Sequence, residues 1–372
     1  MIKLKEVKSK KDLKTFIHLP FEIHKGHKEW LPPLISDEWK VYDKTKNHSF
    51  ENCDTIMLLA YKNNKAVGRI MGIVNHTYNN GNNEKNVRFF GLECFDNSEV
   101  FNTLLHSVES WGKQKGMDTM IGPLGFSDKD PQGFLIEGFD DPITVMVTNS
   151  SFEYMVKHTE NYGLKKKLDI LQYRAKIPSN TPEIYTKIAN RLSKRGFNVL
   201  EFKKSKHVRP FVKPVFDLIN STYKDIYGFA PLAEIESNEF SERFLPLLKP
   251  QYIKIVVDSS QQVVAFVVGM PDISKGFKKA KGKLFPFGFI HILRAFKQTN
   301  QLNLLLGCVQ DDLQNSGLIA LMAQSMYKSA KENGLTVLDS HLVLEENKKM
   351  RGVMERMDHE IYKKYRIYEK KL

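Results

Sequence analysis

The sequence predicts an α/β (α+β) protein built from two similar units in tandem, each with a mixed central sheet flanked by helices. In each half of the chain, an apolar hairpin is followed by an apolar strand, an amphipathic helix and a further strand. Corresponding segments lie 196 positions apart at the hairpins, 215 at the next strand and 218 after the helix. The spacing rises once, between the hairpin and the next strand, and is otherwise nearly constant. This is typical of a duplicated unit with one insertion, although the same order can recur by chance. We expect a first unit at residues 1–178 and a second unit at residues 179–372.

The first unit becomes strand-like after an amphipathic N-terminal segment. Apolar runs at residues 56–61 and 66–74 are joined by a short polar segment and predict a hairpin. A further strand is predicted at residues 87–95. Residues 96–98 offer an N-cap for a helix with one apolar face that ends at Gly116, and a strand follows.

The second unit repeats this order. Apolar runs at residues 252–257 and 263–270 predict a hairpin, and residues 302–309 predict a strand. A helix is predicted at about 317–332 and a strand at 336–344. The chain then continues with a short amphipathic helix and a final strand.

The strand, turn and helix between Leu302 and Gly334 are the candidate anion-binding unit. A buried strand feeding a helix leaves the first helical amides without partners, where they can hold a phosphate group. An ordinary α/β connection is the alternative, because one glycine in the turn is weak support. The candidate cofactor-binding residues are Cys308, Val309, Gln310, Gln314, Asn315, Ser316, Gly317, Leu318 and Ala320, together with Asn347 as N-cap of the following helix.

Composition narrows the class of protein. The chain has 56 Lys and Arg against 43 Asp and Glu, a formal charge of +13, which favours anionic partners. No helix-turn-helix, RNP or zinc-finger pattern is visible, so nucleic acid is not an expected partner. There is no apolar run of transmembrane length and no signal-peptide pattern, and the three cysteines are widely spaced. We therefore expect a cytoplasmic protein.

Residues 274–300, from Ser274 to Asn300, form the insertion in the second unit. They contain seven Lys or Arg residues, no acidic residue and many apolar side chains, with Phe289, Leu293 and Phe296 on one helical face. Such a segment can dock on an anionic membrane surface, placing the protein peripherally on the inner membrane face, or cover an apolar pocket. A solvated basic loop followed by a core-packing helix is the other interpretation.

The predicted order of elements resembles the GNAT (Gcn5-related N-acyltransferase) fold, in which the strand-turn-helix unit binds the pyrophosphate of acyl-coenzyme A. The turn of that family carries Gln/Arg-x-x-Gly-x-Gly/Ala. Here Gln314 and Gly317 match, whereas Ile319 stands where Gly or Ala is expected.

Stretches in both units resemble a bacterial group of tandem GNAT-like proteins that is similar to bacterial ceramide synthases. These stretches are residues 89–93, 121–123, 135–140, 284–288 and 362–369. The resemblance implies acyl transfer from acyl-CoA, either acetyl-CoA or a longer chain, to an amine, with a long-chain lipid amine among the expected acceptors and without a metal. A non-catalytic or membrane-associated module that kept the fold is the alternative.

Acyl transfer from a thioester to an amine needs a base, a hydrogen-bond donor for the oxyanion and an acid for the thiolate. Many GNAT enzymes supply that acid from a Tyr, and the matching position here is Met354. The candidate catalytic residues are therefore His341, Glu345 and Tyr223. The backbone amide of Val309 or Gln310 is the candidate oxyanion donor.

The first unit lacks a phosphate-type turn. Asp96 and Glu99 place carboxylates at its helix start, where they would repel a pyrophosphate. We expect this unit to supply structure or one wall of an acceptor pocket. His24 and His27 have no third ligand in view, so a surface position is expected for them and no metal site is predicted.

Overall fold

The protein is described by a computed structural model that covers residues 1–143, 148, 150–224 and 226–372, with the backbone only at position 243. The strands in chain order are β1 Lys3–Glu6, β2 Cys53–Lys62, β3 Lys65–Asn75, β4 Asn86–Cys94, β5 Thr119–Gly122, β6 Phe134–Glu137, β7 Lys165–Lys176, β8 Asn198–Glu201, β9 Ile253–Val257, β10 Val263–Pro271, β11 Gln301–Val309, β12 Val337–Leu344 and β13 His359–Lys371. The helices are α1 Lys10–Ile23, α2 Ile35–Tyr42, α3 His76–Asn82, α4 Ser98–Gln114, α5 Glu153–Asn161, α6 Glu183–Lys194, α7 Val212–Thr222, α8 Glu234–Phe244, α9 Ser274–Ala280, α10 Gly288–Gln298, α11 Leu318–Glu332 and α12 Lys348–Met354.

All of these strands form one mixed sheet in the order β1-β2-β3-β4-β5-β13-β7-β12-β11-β10-β9-β8, with β6 beside β13. The two units exchange their last strands. β7 pairs antiparallel with β12 of the second unit, whereas β13 pairs antiparallel with β5 of the first. β7 and β13 also pair with each other and make the centre of the sheet. Because the sheet is continuous, a boundary at 178 and 179 stays a prediction based on chain order.

The predicted repeat is visible in the strands themselves. β4 and β11 begin at Asn86 and Gln301, 215 positions apart, and β5 and β12 begin at Thr119 and Val337, 218 positions apart. Both pairs are parallel and both enclose a long helix, α4 or α11. The predicted mixed α/β architecture of two similar units is therefore confirmed.

Helices pack on both faces of the sheet. Because successive side chains of a strand point to opposite faces, each strand contributes to the hydrophobic core on both faces. In β3, Ile70 packs in the cluster that contains α4, whereas its neighbour Met71 packs in the cluster that contains α1. In β9, Val256 packs with α6 and α11, whereas Ile255 packs with α7. The matching arrangement places α1 and α7 on one face and α4 and α11 on the other.

Strand β7 was not predicted from the sequence. Its 12 residues read KKKLDILQYRAK, and charged positions interrupt the apolar alternation. Asp169 in this strand is buried against Arg366 of β13, whose Nε donates to Asp169 Oδ1 at 2.7 Å. The polar positions are thus satisfied by a strand almost two hundred residues away, which a local pattern does not reveal.

Candidate functional site

Strands β11 and β12 run side by side for only a short distance. They pair from Gln301–Asn303 to Val337–Asp339 and then diverge. The register of β11 against β10 skips Leu305, so a bulge bends β11 at the point where it leaves β12. The divergence opens a cleft at the carboxyl ends of the two parallel strands.

The backbone amides of Val309 and Gln310, at the end of β11, differ in whether they are already used in a hydrogen bond. The amide of Gln310 donates to the carbonyl of Val264 at 2.9 Å, so it is not free to serve as an oxyanion donor. Because amide directions alternate along a strand, the Val309 amide points away from β10, towards the diverging side. Val309 is therefore the remaining candidate donor. The neighbouring Cys308 thiol stays protonated, since burial raises its pKa to about 12.

The turn between β11 and α11 requires glycine at position 317. Gly317 has φ +103°, and a Cβ there would lie 2.6 Å from Cγ2 of Ile188 on α6. As N-cap of α11 it offers no side chain to the helical amides, and the first turn of α11 contains no acidic residue. The amides of Leu318, Ile319 and Ala320 therefore keep the free, positive end of the helix.

Cations and an unpartnered hydroxyl surround this helix end. Nη2 of Arg191 lies 3.8 Å from the position that a Cβ on Gly317 would take. Nζ of Lys349 donates to Oε1 of Gln314, so a second cation borders the turn. The Ser316 hydroxyl is buried and makes no hydrogen bond to the part of the chain that the structure describes. Free amides, two cations and this hydroxyl together fit a bound phosphate group. The free amides of residues 318–320, together with Ser316, Arg191 and Lys349, are called the cradle below.

The Ile319 side chain does not occupy the cradle. Its side chain is 42% exposed, whereas Leu318 and Ala320 beside it are buried in the core. Asn315 takes the left-handed conformation at φ +65° and turns the chain towards the helix. The branched side chain of Ile319 thus borders the mouth of the cradle.

His341 lies in a bulge of β12 with φ +57°, a conformation that is unusual for a residue with a large side chain. Two residues, Ser340 and His341, oppose the single Tyr173 of β7. The His341 amide donates to Asp339 Oδ1 at 2.9 Å, and the Ser340 hydroxyl donates to the His341 carbonyl at 2.8 Å. Backbone strain held in place by neighbouring side chains is a frequent property of functional positions.

The His341 imidazole is available for chemistry. Nδ1 is buried and has no hydrogen-bond partner in the described part of the chain, and the residue lines the cavity. Burial lowers the pKa of His341 to about 4, although the nearby carboxylate of Asp339 opposes this shift. The imidazole is therefore neutral at physiological pH.

Tyr223 reaches β11 from α7, where it forms the helix C-cap. Its hydroxyl donates to the carbonyl of Gly307 at 2.9 Å, and burial raises its pKa well above the usual value. Met354 is buried and lines the same cavity, so no hydroxyl stands at the position of the family's acid. Tyr223 is the predicted acid that the fold brings to β11.

Glu345 lies away from this group. Its Oε1 accepts from the Asp169 amide at 2.9 Å and its Oε2 accepts from Lys166 at 2.7 Å, which joins β12 to β7. It does not line the cavity among the described residues. These two bonds tie Glu345 to β7, and its catalytic role stays a prediction. Asn347 caps α12 by accepting from the Met350 amide at 3.0 Å, as predicted, and also lines the cavity.

One continuous cavity of about 2010 Å³ connects these residues and extends into the first unit. Its walls are mainly apolar and come from both units, with Leu31, Phe90, Phe216, Leu306 and Met326 as examples. Residues Gly317 to Ala320 line the cavity, and so do polar side chains of the first unit, among them Glu93 and Gln132.

The first unit contributes a buried ionic cluster, and here the predicted surface position of His24 is wrong. His24 is only 6% exposed and stacks against the rings of Trp30 and Phe152, with centroids at 4.8 and 4.9 Å. His24 Nε2 lies 3.1 Å from Glu93 Oε2, and Arg69 Nη2 donates to Glu93 Oε1 at 2.9 Å. Burial disfavours the charge, but Arg69 and His24 outweigh it and hold the Glu93 pKa at about 2.

The second histidine of the pair continues this cluster. Nδ1 of His27 lies 2.8 Å from Nδ1 of His24. Burial and the neighbouring His24 lower the pKa of His27 to about 4. Because an anionic Glu93 only accepts, His24 donates to it from Nε2. Within the described residues, no three His, Cys, Asp or Glu side chains converge to hold a metal ion.

Sequence reasoning identified the histidine pair but not its partners, and it missed Arg191 and Lys349. These residues reach the site from α6 and α12 through packing, and their own local sequence carries no signal. None of the described helices combines the length and the apolar character needed to cross a membrane.

Solved structures show the class of fold. The whole chain is similar to a tandem GNAT protein from the clavulanic acid biosynthesis pathway, with a TM-score of 0.58, 8% identity and 98% of that protein covered. It is also similar over its full length to a GCN5-related N-acetyltransferase from Sphaerobacter thermophilus, with a TM-score of 0.51, 10% identity and 95% of that protein covered. The protein has a tandem GNAT fold.

Curated sequences give more particular relatives. The chain is 26% identical to Protein YghO of Escherichia coli (strain K12) over 376 residues, covering 98% of this chain and 94% of the relative. It is 25% identical to Bacterial ceramide synthase of Caulobacter vibrioides over 373 residues, covering 98% of this chain and 96% of the relative. No family model matches the chain. The resemblance to tandem GNAT-like proteins similar to bacterial ceramide synthases is confirmed.

Proposed function

We propose that the protein is an acyl-CoA-dependent N-acyltransferase whose second unit binds the coenzyme and whose acceptor is a long-chain amine. The observation that carries this proposal is the continuity of the site. A cradle of free helix amides at Gly317 opens into an apolar cavity that also contains the unpartnered Nδ1 of His341. A pyrophosphate fits the cradle, and alkyl chains fit the apolar walls.

The ammonium group of the acceptor first loses a proton to water. The neutral amine then attacks the thioester carbonyl and forms a tetrahedral intermediate. The Val309 amide donates a hydrogen bond to the oxyanion, and His341 Nδ1 takes the proton from the new ammonium nitrogen. A neutral imidazole of low pKa is a weak base for a free ammonium. It suits this step because the nitrogen becomes more acidic once it is bonded to the acyl carbon. The thiolate leaves as the C–S bond breaks, and Tyr223 or water returns a proton to it.

The apolar cavity favours a long chain on at least one substrate. Its volume of about 2010 Å³ exceeds the 300–1,000 Å³ that is usual for small-molecule sites. A relative of similar length is named Bacterial ceramide synthase, which agrees with a lipid-like amine. We therefore expect palmitoyl-CoA to stabilise the protein more than acetyl-CoA at equal concentration, because the ligand that binds more tightly raises the melting temperature further.

Acyl transfer is tested by incubating the protein with each acyl-CoA and a long-chain amine. We expect free thiol to be released and an amide to be detected by mass spectrometry, only when the amine is present. Absence of thiol release, together with no thermal shift by any acyl-CoA, would contradict the proposal. A thermal shift without thiol release would instead support a binding module that kept the fold and lost the chemistry.

We also propose that residues 274–300 dock on an anionic bilayer. Four large apolar side chains of this segment are exposed: Phe285 at 77%, Phe287 at 67%, Leu293 at 54% and Phe289 at 42%. Phe277 and Ile292 of the same segment are buried and anchor it to the core. Exposed apolar side chains that are flanked by seven cations without an acid match the chemistry of an anionic membrane surface.

Vesicle co-sedimentation tests this surface. We expect binding to vesicles that contain phosphatidylglycerol, weaker binding to pure phosphatidylcholine, and loss of binding when Phe285 and Phe287 are both changed to Ser. Ile235→Ser is the matched control, because Ile235 is 56% exposed elsewhere on the surface. Equal binding of the double variant and the control would contradict this part of the proposal.

A further inference from the structure

Three residues of the first unit that line the cavity carry a buried polar atom without a partner in the described part of the chain: Nε of Arg69, which is a donor, and Oε1 of Gln132 and Oγ1 of Thr148, which can accept. Gln132 and Thr148 are only 7% and 6% exposed. A buried polar atom without a partner costs free energy of folding, so such atoms on residues that line one cavity point to a ligand that satisfies them.

The orientation of Gln132 defines what this ligand must offer. Its Nε2 donates to the Asp128 carbonyl at 2.9 Å, which leaves Oε1 as an acceptor directed elsewhere. Glu93, on the same cavity, is an anionic acceptor whose side chain remains 24% exposed. The Thr148 hydroxyl can accept or donate. The Gln132 oxygen and Glu93 therefore fit a hydrogen-bond donor, and the anionic Glu93 favours a positive charge on it.

The loop that carries Gln132 is connected to β11 through a chain of contacts. Lys129, three residues before Gln132, donates to the Ala230 carbonyl at 3.2 Å, and its Nζ lies 4.5 Å from the centre of the Phe229 ring. The Phe229 ring packs edge-on against Tyr223 with 6.0 Å between centroids. Tyr223 in turn bonds the Gly307 carbonyl of β11. The loop of the first unit is thus linked to the strand beside which the thioester is proposed to lie.

We propose that Gln132 and Thr148 bind the polar headgroup of the acceptor, an ammonium or hydroxyl group on a long alkyl chain. This inference rests on the proposed N-acyltransferase function. It assigns acceptor recognition to the first unit and acyl-CoA recognition to the second. The duplicated unit without a phosphate turn then has a definite part in the reaction, which is to hold the substrate that the coenzyme acylates.

The test measures binding of the acceptor without acyl-CoA, by calorimetry and thermal shift on the full chain. The probes are octylamine, octanol and octanoate, which share a chain and differ in the headgroup. We expect octylamine to bind most tightly, octanol more weakly and octanoate least, because only the first two donate hydrogen bonds. Thr148→Val and Gln132→Met should each weaken octylamine binding about fivefold or more, the effect of one lost hydrogen bond.

The matched control is Thr159→Val, which removes another buried hydroxyl that already donates to the Met155 carbonyl and does not line the cavity. It should leave octylamine affinity unchanged. Thr148→Val should not lower the melting temperature of the free protein, because it removes an unsatisfied atom. Unchanged octylamine affinity in both site variants, or octanoate binding as tight as octylamine, would overturn the inference. Coenzyme A titrated separately into the wild type shows whether the proposed function fails instead.

Discussion

The two units differ at the point where their parallel strands diverge. In the first unit, the N-cap of α4 is Asn97, whose side chain accepts a hydrogen bond from the Val100 amide at 3.0 Å, and Glu99 adds a carboxylate to the first turn. In the second unit, the N-cap of α11 is Gly317, which has no capping side chain, and the first turn contains no acidic residue. One helix end is closed to anions and the other is open.

The strand ends differ in the same way. The carbonyl of Cys94 at the end of β4 accepts from the Tyr154 hydroxyl at 2.8 Å, and the aromatic rings of Tyr154 and Phe152 stack beside it. The corresponding end of β11 opens into the cavity. We call the cleft of the first unit, with its aromatic rings and capped helix, the filled cleft, and that of the second unit, with its uncapped helix, the open cleft. The proposed function assigns the coenzyme to the open cleft. The following substitutions test this difference, from the largest expected effect to the smallest.

The largest effect is expected for Gly317→Val. The change places a branched side chain at φ +103° and within 2.6 Å of Ile188. We expect a loss of about 2–6 kcal/mol in the free energy of unfolding and loss of measurable coenzyme A binding. Chemical denaturation and calorimetry provide the two readouts.

The control is Gly334→Val at φ +71°, where a Cβ meets nothing within 4 Å. It carries backbone strain without the collision and lies after α11. Coenzyme A affinity should therefore stay at the wild-type level. If Gly317→Val also bound coenzyme A normally, the open helix end would not be the cradle.

His341→Gln tests the proposed base. We expect kcat to fall about 10²- to 10⁴-fold, the usual contribution of a general base, while coenzyme A affinity changes little. Steady-state kinetics with palmitoyl-CoA measure the first quantity and calorimetry the second. His27→Gln, in the cluster of the filled cleft, should change kcat much less. Equal losses in both variants would remove the distinction between the two units.

The pH dependence of stability provides a third comparison. Burial lowers the pKa of His341 to about 4, below the ordinary 6.5, so the unfolded chain binds the proton first as the pH falls. The contribution of His341 to the free energy of unfolding is complete above about pH 6.5 and is lost as the pH falls from there to 4. At pH 5, His341 alone should lower the free energy of unfolding by about 2 kcal/mol relative to pH 7.

Denaturant unfolding of the wild type and His341→Gln at both pH values measures this contribution. The variant should lose less stability between pH 7 and pH 5, and the difference should be about 2 kcal/mol. His27, with a pKa also lowered to about 4, contributes in the same direction in both proteins and cancels in the comparison. An equal loss in the two proteins would contradict a neutral buried His341.

The smallest effect is expected for the cations of the cradle. Arg191→Gln and Lys349→Gln should each weaken coenzyme A binding about three- to tenfold, because an exposed charge near a phosphate contributes about 1 kcal/mol. The weakening should shrink at high salt. Lys113→Gln on α4 of the first unit is the control and should have no effect. Calorimetry at two ionic strengths distinguishes these outcomes.

Sequence patterns predicted the elements whose cause is local. The strand predicted at 302–309 is found at Gln301–Val309, and the helix predicted at 317–332 is found at Leu318–Glu332. An apolar run and a helical periodicity are sufficient for both. The N-cap of α4, Asn97, lies within the predicted residues 96–98, and Asn347 is the N-cap of α12 as predicted, because a cap depends on a few neighbouring residues.

The features that sequence reasoning missed depend on distant contacts. His24 is buried because Phe152 and Trp30 enclose it, and Phe152 lies far along the chain. The exchange of β7 and β13 depends on pairing between the ends of the two units. Arg191 and Lys349 reach the cradle only when α6 and α12 are packed. None of these arrangements has a periodic or local signature.

A crystal structure of the protein with bound coenzyme A is the most direct test of the open cleft. We expect pyrophosphate oxygens within hydrogen-bond distance of the Leu318, Ile319 and Ala320 amides, with Arg191 and Lys349 beside them. The pantetheine should lie between β11 and β12 and end near Val309 and His341. A coenzyme bound at the start of α4 in the first unit, or no binding at a saturating concentration, would contradict the assignment of the coenzyme to the second unit.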